Sequence, residues 1–514
     1  MSALESNGGG LSRVVDRFEP IVERSNPILV KEVRQTLRGR SFGWTFLALV
    51  VIVAIIGAMI VLMDEANPRA NLGTSFTMLL VWLLGLGMIV VVPLQAFQSL
   101  GNEWEAETYD QLTLSGLTPS QIAGGKIFAA ALQSALLLAA FLPFIALGFL
   151  MRGVDLLSVF VVLLVLYCAS LWTSALALAL SALTKARSVR VVLYVLLGVA
   201  AFFGVGGAAG FGSQLLADPA ILSDRDFAAI LVSVLLGGFC ASAILHAFGC
   251  GQIAHPEENS ATPLRLTTAA CVLLLLSWLA VARFAGWLPA DAAQGIGGML
   301  ALVLAGLSML WTAERQRLGR RVAFDLSLRG SRARRTPAML LPGGSRGAQF
   351  SYLLLGLVAA FVVLIDLSGD FSFEDRRWFG VWVLCYYSFF VALPAALLAR
   401  WSQRANGAWA VRLVMVLFAA ACIVLPSIIG LLLTDRGLTQ MRHPLNPFWV
   451  LAESVDQDLD PAVGLAVIGL GALGLLANLV RIGKGTAEVL RARRGEHHEP
   501  DPAVERSRER MASA

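Results

Sequence analysis

The side chains in this 514-residue sequence that could do chemistry are few and scattered. Its six cysteines, Cys168, Cys240, Cys250, Cys271, Cys385 and Cys422, all lie inside apolar runs. None has CxxC spacing, so neither a zinc site nor a dithiol redox motif is indicated; free thiols buried among helices are the expectation. His246 is the clearest ionisable group within an apolar run, and a lone histidine there reads as hydrogen-bonded to a neighbouring helix. A proton relay is the competing role, but relays and ion-coupled carriers use several buried titratable groups, and these are scarce here. Arg442, His443, Glu453 and Asp456 fall in one polar stretch, yet no pairing or spacing makes them a catalytic set. A phosphate-binding loop needs G-x-x-x-x-G-K-[ST], whose backbone amides wrap the phosphates. Gly125-Lys126 has Ser120 in place of the first glycine and Ile127 in place of the hydroxyl residue, and Gly483-Lys484 has Asn478 in place of that glycine.

The elements that must position these residues follow from composition. Hydrophobic residues make up 57% of the chain and charged residues 15%, with a mean hydropathy of +0.73. Soluble domains carry about 25% charged residues, so lipid must be the solvent for most of the chain. Continuous apolar runs long enough to cross about 30 Å of hydrocarbon predict an all-α, polytopic transmembrane helical bundle, because a barrel strand would alternate instead. The spans run Trp44–Met63, Phe76–Phe97, Ile127–Met151, Leu156–Leu183, Val189–Gly210, Phe227–Ala254, Leu266–Trp287, Ile296–Ala313, Tyr352–Leu367, Trp378–Leu398, Val411–Leu433 and Val463–Ile482. The organisation is then a cytoplasmic segment 1–43, a six-span domain 44–254, a second six-span domain 255–483 and a charged tail 484–514.

Lys and Arg concentrate in cytoplasmic loops. They cluster at 31–40, at Lys185, Arg187 and Arg190, through the basic loop Glu314–Gln349, at 400–412 and in the tail, whereas the intervening loops carry more Asp and Glu. That alternation predicts about twelve spans with both ends cytoplasmic. The first 40 residues are too polar for a cleavable signal peptide, so the first span is expected to stay as an anchor. Gly206 and Gly210 have GxxxG spacing, weak support for a close helix interface among 48 glycines.

Two segments stand out. In Asn26–Arg40, Asn26 and Pro27 suit an N-cap and first turn, Leu29, Val33 and Leu37 recur every fourth residue, and Lys31, Arg34 and Arg38 oppose them. This predicts an amphipathic helix lying in the headgroup region. The loop Gly101–Lys126 is long for a helix connection. It opens on Glu103, Glu105 and Glu107, continues through Tyr109, Leu112 and Leu114, breaks at Gly116 and Leu117, and restarts at Thr118-Pro119. An acidic cytoplasmic loop runs against the usual basic bias, which points to a role other than topology.

At these residues the chain resembles the permease subunits of ABC-2 type transporters. The features are Asn26-Pro27 with Lys31-Glu32, then Glu105-x-Glu107-Thr108-x-Asp110-x-Leu112, then Leu117-Thr118-Pro119-Ser120-Gln121-Ile122 and Gly125-Lys126 entering a span. They cover roughly residues 20 to 230. The resemblance implies an interfacial helix holding Asn26, Pro27, Lys31, Glu32, Arg34 and Arg38. It also implies a coupling segment holding Glu103, Glu105, Glu107, Tyr109, Leu112, Leu114, Leu117 and Pro119, a short helix from Glu103 to Leu117. Its leucines would enter a groove on a separate ABC ATPase subunit, with the glutamates orienting the encounter. Glu107 stands where the family commonly has glycine, and six spans are typical of the family where twelve are read here. Asn446-Pro447-Phe448 resembles the outer loop before a sixth family span, which favours a diverged second copy. No second Asn-Pro…Lys-Glu helix precedes Leu266, which opposes one.

The function implied is the membrane subunit of an ABC exporter, with ATP hydrolysis on another chain. No cofactor or nucleic-acid partner is expected, and membrane lipid, with one or two permease chains forming the path, completes the assembly. A membrane-embedded lipid-linked transferase and an ion-coupled carrier are the alternatives. The richness in Ala, Leu, Gly and Arg points to a bacterial inner membrane.

Overall fold

The computed structural model describes residues 27–38, 40–66, 72–106, 109, 114, 116–150, 154–184, 186–255, 258–316, 318–328, 332–365, 378–403, 407–433, 443–456 and 459–495. Every regular element among them is helical. Ten helices are long and apolar enough to cross a membrane. The first and eleventh predicted spans fall on the helices Arg40–Ala66 and Gly407–Leu433, whose apolar stretches are Phe46–Met59 and Ala410–Pro426. The chain divides into two compact units, Met1–Ala254 and His255–Ala514.

The first unit holds α1 (Pro27–Arg38), α2 (Arg40–Ala66), α3 (Leu72–Gly85), α4 (Val92–Glu105), α5 (Pro119–Leu150), α6 (Leu156–Ala182), α7 (Arg187–Ala217) and α8 (Arg225–Ile253). A π-helical turn, Leu86–Val91, joins α3 to α4, and Pro93 follows one residue beyond its end. Proline has no N–H, so a carbonyl one turn earlier loses its donor. The Met88 carbonyl accepts from Ser170 Oγ at 2.6 Å, and Ser170 Oγ lies 2.7 Å from Ser134 Oγ. Hydroxyls of α5 and α6 thus satisfy the backbone where the helix is broken, as apolar surroundings require. The core around this break is Phe76, Leu80, Leu84, Met88, Phe141, Val162, Leu166 and Val205. Outward, α7 exposes Val191, Val195, Val199, Phe202 and Phe203, a surface suited to lipid. The GxxxG pair makes no close helix interface among the described residues: a Cβ on Gly206 would meet only the Trp82 ring, at 3.9 Å, and one on Gly210 nothing.

Asp155 caps α6, accepting from Ser158 N at 2.8 Å and Ser158 Oγ at 2.9 Å. The Ser158 backbone N–H is the main cause holding its carboxyl below the ordinary value of 3.8. A depressed pKa contributes stability above the unfolded value and loses it as pH falls through the folded one. Asp155→Ala should therefore lower the unfolding temperature at neutral pH, and wild type and variant should converge in acid. Thermal melts across pH in detergent check this.

The second unit holds α9 (Ala261–Phe284), α10 (Ala290–Thr312), α11 (Arg320–Ser327), α12 (Gly344–Leu364), α13 (Phe379–Tyr386), α14 (Leu393–Leu397), α15 (Gly407–Leu433), α16 (Pro447–Asp456) and α17 (Pro461–Arg494). A second π-helical turn, Tyr387–Ala392, links α13 to α14, again just before a proline, Pro394. Here Asn478 of α17 donates to the Ala392 carbonyl at 2.7 Å. Gly474, one turn earlier on α17, lets the two backbones touch, because a Cβ there would overlap the Ser388 carbonyl. Gly474→Ala should cost about 1–3 kcal/mol by overpacking, read as a lower unfolding temperature. The eighth and ninth predicted spans, short or glycine-rich in sequence, correspond to α10 and α12, both within the ten.

Candidate functional site

The two segments singled out in the sequence meet at one end of the first unit. On α1, Ile28 and Glu32 are one turn apart and buried, whereas Lys31 and Arg34 are exposed. The buried face differs from the expected stripe at the described positions: Leu29 and Val33 are half-buried and Glu32 sits among the packed residues, while the Leu37 side chain lies outside the described residues. Ile28 packs with Leu100, Tyr109, Ile122, Ala123, Leu178 and Ile253, drawn from four further helices and the loop. Pro27 opens the helix as expected. Asn26 and the Arg38 side chain lie outside the described residues.

Charge explains why Glu32 is inside. Lys126, on the second turn of α5, has a side chain only 1% exposed. Its ammonium lies 2.6 Å from Glu32 Oε1, 3.2 Å from Glu103 Oε1 and 3.3 Å from Ser99 Oγ. Two hydrogen bonds, to Glu32 and Ser99, and a further ion pair with Glu103 meet the condition for burying a lysine at tolerable cost. Lys31 reaches the same Glu103 oxygen at 3.0 Å from the solvent side. On the other flank Arg190, at the start of α7, donates to the Gly101 carbonyl at 2.7 Å and to Glu105 Oε1 at 3.0 Å. The guanidinium meets the negative end of α4, where a cation is favoured. Helices α1, α4, α5 and α7 are thereby braced together by ion pairs at one end.

The loop is anchored to this brace. Tyr109 is buried, stacks at 4.1 Å from the Trp104 ring and donates its hydroxyl to the Ile253 carbonyl at 2.6 Å. Leu117 packs against the same cluster, and Leu114 is 86% exposed. Gly116 has φ +77°, a left-handed conformation that ends the segment. Thr118 and Gln121 then form a reciprocal capping box, Thr118 N to Gln121 Oε1 at 2.9 Å and Gln121 N to Thr118 Oγ1 at 3.3 Å, with Pro119 opening α5.

One short helix from Glu103 to Leu117 is not what forms. Glu103 and Glu105 complete the last turn of α4 and are engaged by Lys126, Lys31 and Arg190 of this chain. Helical backbone resumes at Tyr109 and Leu114, while Glu107 and Leu112 lie outside the described residues. In the sequence Lys126 is weighed as a phosphate-loop lysine and as part of the family resemblance, and Arg190 as a topology charge; neither is read as the centre of an ion-pair brace. The signal passed over was the position of Lys126 eight residues past the Thr118 cap, between Ile122-Ala123 and Ile127, where a lysine needs buried partners.

A second buried network escaped sequence reasoning altogether. In the second unit, Arg265 and Arg346 are fully buried. Arg265 donates to Glu314 Oε2 at 2.6 Å and to the carbonyls of Leu341 at 2.6 Å, Met339 at 2.9 Å and Gly343 at 3.3 Å. Arg346 reaches Glu488 Oε2 at 3.2 Å and the carbonyls of Pro342, Gln316 and Gly485. Glu488 in turn accepts from Leu318 N at 3.0 Å. These side chains tie the loop 313–343 to α9, α12 and α17. His246 lies 3.6 Å from Cys250 Sγ on its own helix, so its contact is intrahelical and not to a neighbouring helix as expected.

Comparison of this chain with family models, with curated proteins and with solved structures finds no match.

Proposed function

We propose that this chain is the membrane permease subunit of an ABC-type exporter, coupled to a separate ATPase subunit in a bacterial inner membrane. In this reading all twelve predicted helices span, and both ends of the chain are cytoplasmic. One observation supports it most. The amphipathic helix α1 and the segment after the second span are far apart in sequence, yet both close on Lys126, through Glu32 at 2.6 Å and Glu103 at 3.2 Å. A brace of this kind turns a push on a cytoplasmic segment into movement of several spans. Leu114 is the outward anchor for such a push, being 86% exposed beside the buried Tyr109. Glu103 and Glu105 then stiffen the lever, and the docking contact is apolar.

The partner would be an ATPase that lacks spans of its own and is encoded beside this gene. Leu114→Asp should reduce permease-stimulated ATP hydrolysis in lipid vesicles about tenfold or more, the scale of a buried interface anchor. Lys31→Ala, at the exposed rim of the brace, should change it less than about threefold. Equal stimulation by wild type and Leu114→Asp would remove this reading.

A further inference from the structure

We propose that α11 and the end of α17 form a docking surface for anionic phospholipid headgroups. This surface belongs to the second unit and is independent of any coupling to an ATPase. Helix α17 has 34 residues, about 51 Å at 1.5 Å each, against about 30 Å of hydrocarbon. Its last turns must therefore leave the apolar layer. There Val489 packs with Val322 and Leu326 of α11, together with Leu318 and Leu341, so one face of α11 is fixed to the emerging helix.

The opposite face is left uncovered. Phe324 is 54% exposed and Leu328 is 44% exposed, one turn apart, with Arg320 and Arg321 exposed on the preceding turn. At the end of α17, Leu490 is 52% exposed beside the exposed Arg491. Large apolar groups interleaved with arginines suit the boundary between headgroups and acyl chains, where the rings and alkyl groups enter and the cations meet phosphate. Arg493 Nη2 donates to the Thr336 carbonyl at 2.5 Å, which brings the segment carrying Arg335 against the same helix end.

Charge balance identifies the occupant. Glu314 and Glu488 face inward, held by Arg265 and Arg346, and do not compensate the surface. Arg320, Arg321, Arg335, Lys484 and Arg491 are exposed, and none makes an ion pair among the described residues. Five exposed cations on α11, on α17 and in the segment between them, against the one half-buried carboxylate of α11, Asp325, leave a net positive surface at the end of a helix leaving the membrane, which matches a phosphate-bearing leaflet. Each contributes roughly a fivefold gain in affinity for such a surface.

The test uses the full chain in nanodiscs of phosphatidylcholine alone or with one third phosphatidylglycerol, read by backbone hydrogen exchange over 318–341 and 484–494. Phosphatidylglycerol should slow exchange there and leave α6 unchanged, and high salt should remove the difference. The combined variant Arg320→Gln, Arg321→Gln, Arg335→Gln and Arg491→Gln should lose the lipid effect while keeping the wild-type unfolding temperature, since these side chains face outward. Native mass spectrometry should find fewer phosphatidylglycerol molecules retained by that variant. Identical exchange in both lipids, or protection that persists in the variant, would overturn the proposal. So would protection given by soluble heparin but not by phosphatidylglycerol, which would assign the surface to a soluble polyanion.

Discussion

Replacing Lys126 by methionine is expected to destabilise the first unit by about 3–5 kcal/mol, the range for breaking a buried ion pair by removing one partner. Methionine fills the same volume, so the loss is electrostatic. Glu32, with a side chain 10% exposed, would be left without its cation, and Glu103 would lose its ion pair with Lys126. Two carboxylates would then face each other in a site that water barely reaches. Adding Glu32→Gln to Lys126→Met removes the stranded charge and should recover more than half of the loss. Unfolding of the full chain in mixed micelles, followed by tryptophan fluorescence, measures both. If Lys126→Met alone behaved like wild type, the ion pairs would not be what holds α1 and α4 to α5.

The second large effect is expected at Arg265. Arg265→Met should also cost about 3–5 kcal/mol, because it strands Glu314 and strips a donor from three carbonyls. Arg265→Lys separates charge from geometry. A lysine restores the cation but not the planar fork that serves Glu314 and the Leu341 carbonyl together. It should therefore rescue only part of the loss, and the segment 338–343 should become susceptible to protease. Full rescue by lysine would show that net charge alone matters there.

Helix positions were legible because a membrane demands long apolar runs, and the predicted runs fall on helices, ten of them long and apolar enough to cross a membrane. The π-helical turns at 86–91 and 387–392 were not, since their cause is a local contest between proline and the helix ladder. Only Pro93 and Pro394 hinted at them. The ends of α5 could be read more finely, as Thr118 and Gln121 have the spacing of a capping box. What sequence could not supply was pairing across distance. Glu32 and Lys126 are 94 residues apart, and nothing local tells a topology lysine from one that closes a brace. For the same reason Arg346 was read only as part of the basic loop Glu314–Gln349, and Arg265 drew no reading at all. The acidic residues of the segment after the predicted second span were read as orienting a partner, whereas Glu103 and Glu105 are engaged within the chain.

The most direct measurement on the coupling proposal is a site-specific photocrosslink. A photoreactive side chain would replace Leu114 in the full chain, co-expressed in native membranes with a candidate ATPase that lacks spans of its own, and control chains would carry it at Phe203 or Leu353. Coupling through this segment predicts a crosslink from position 114 to that ATPase that strengthens or weakens with bound nucleotide, and none from the lipid-facing controls. Crosslinks from position 114 to lipid alone, or equal ATPase labelling from all three positions, would contradict it.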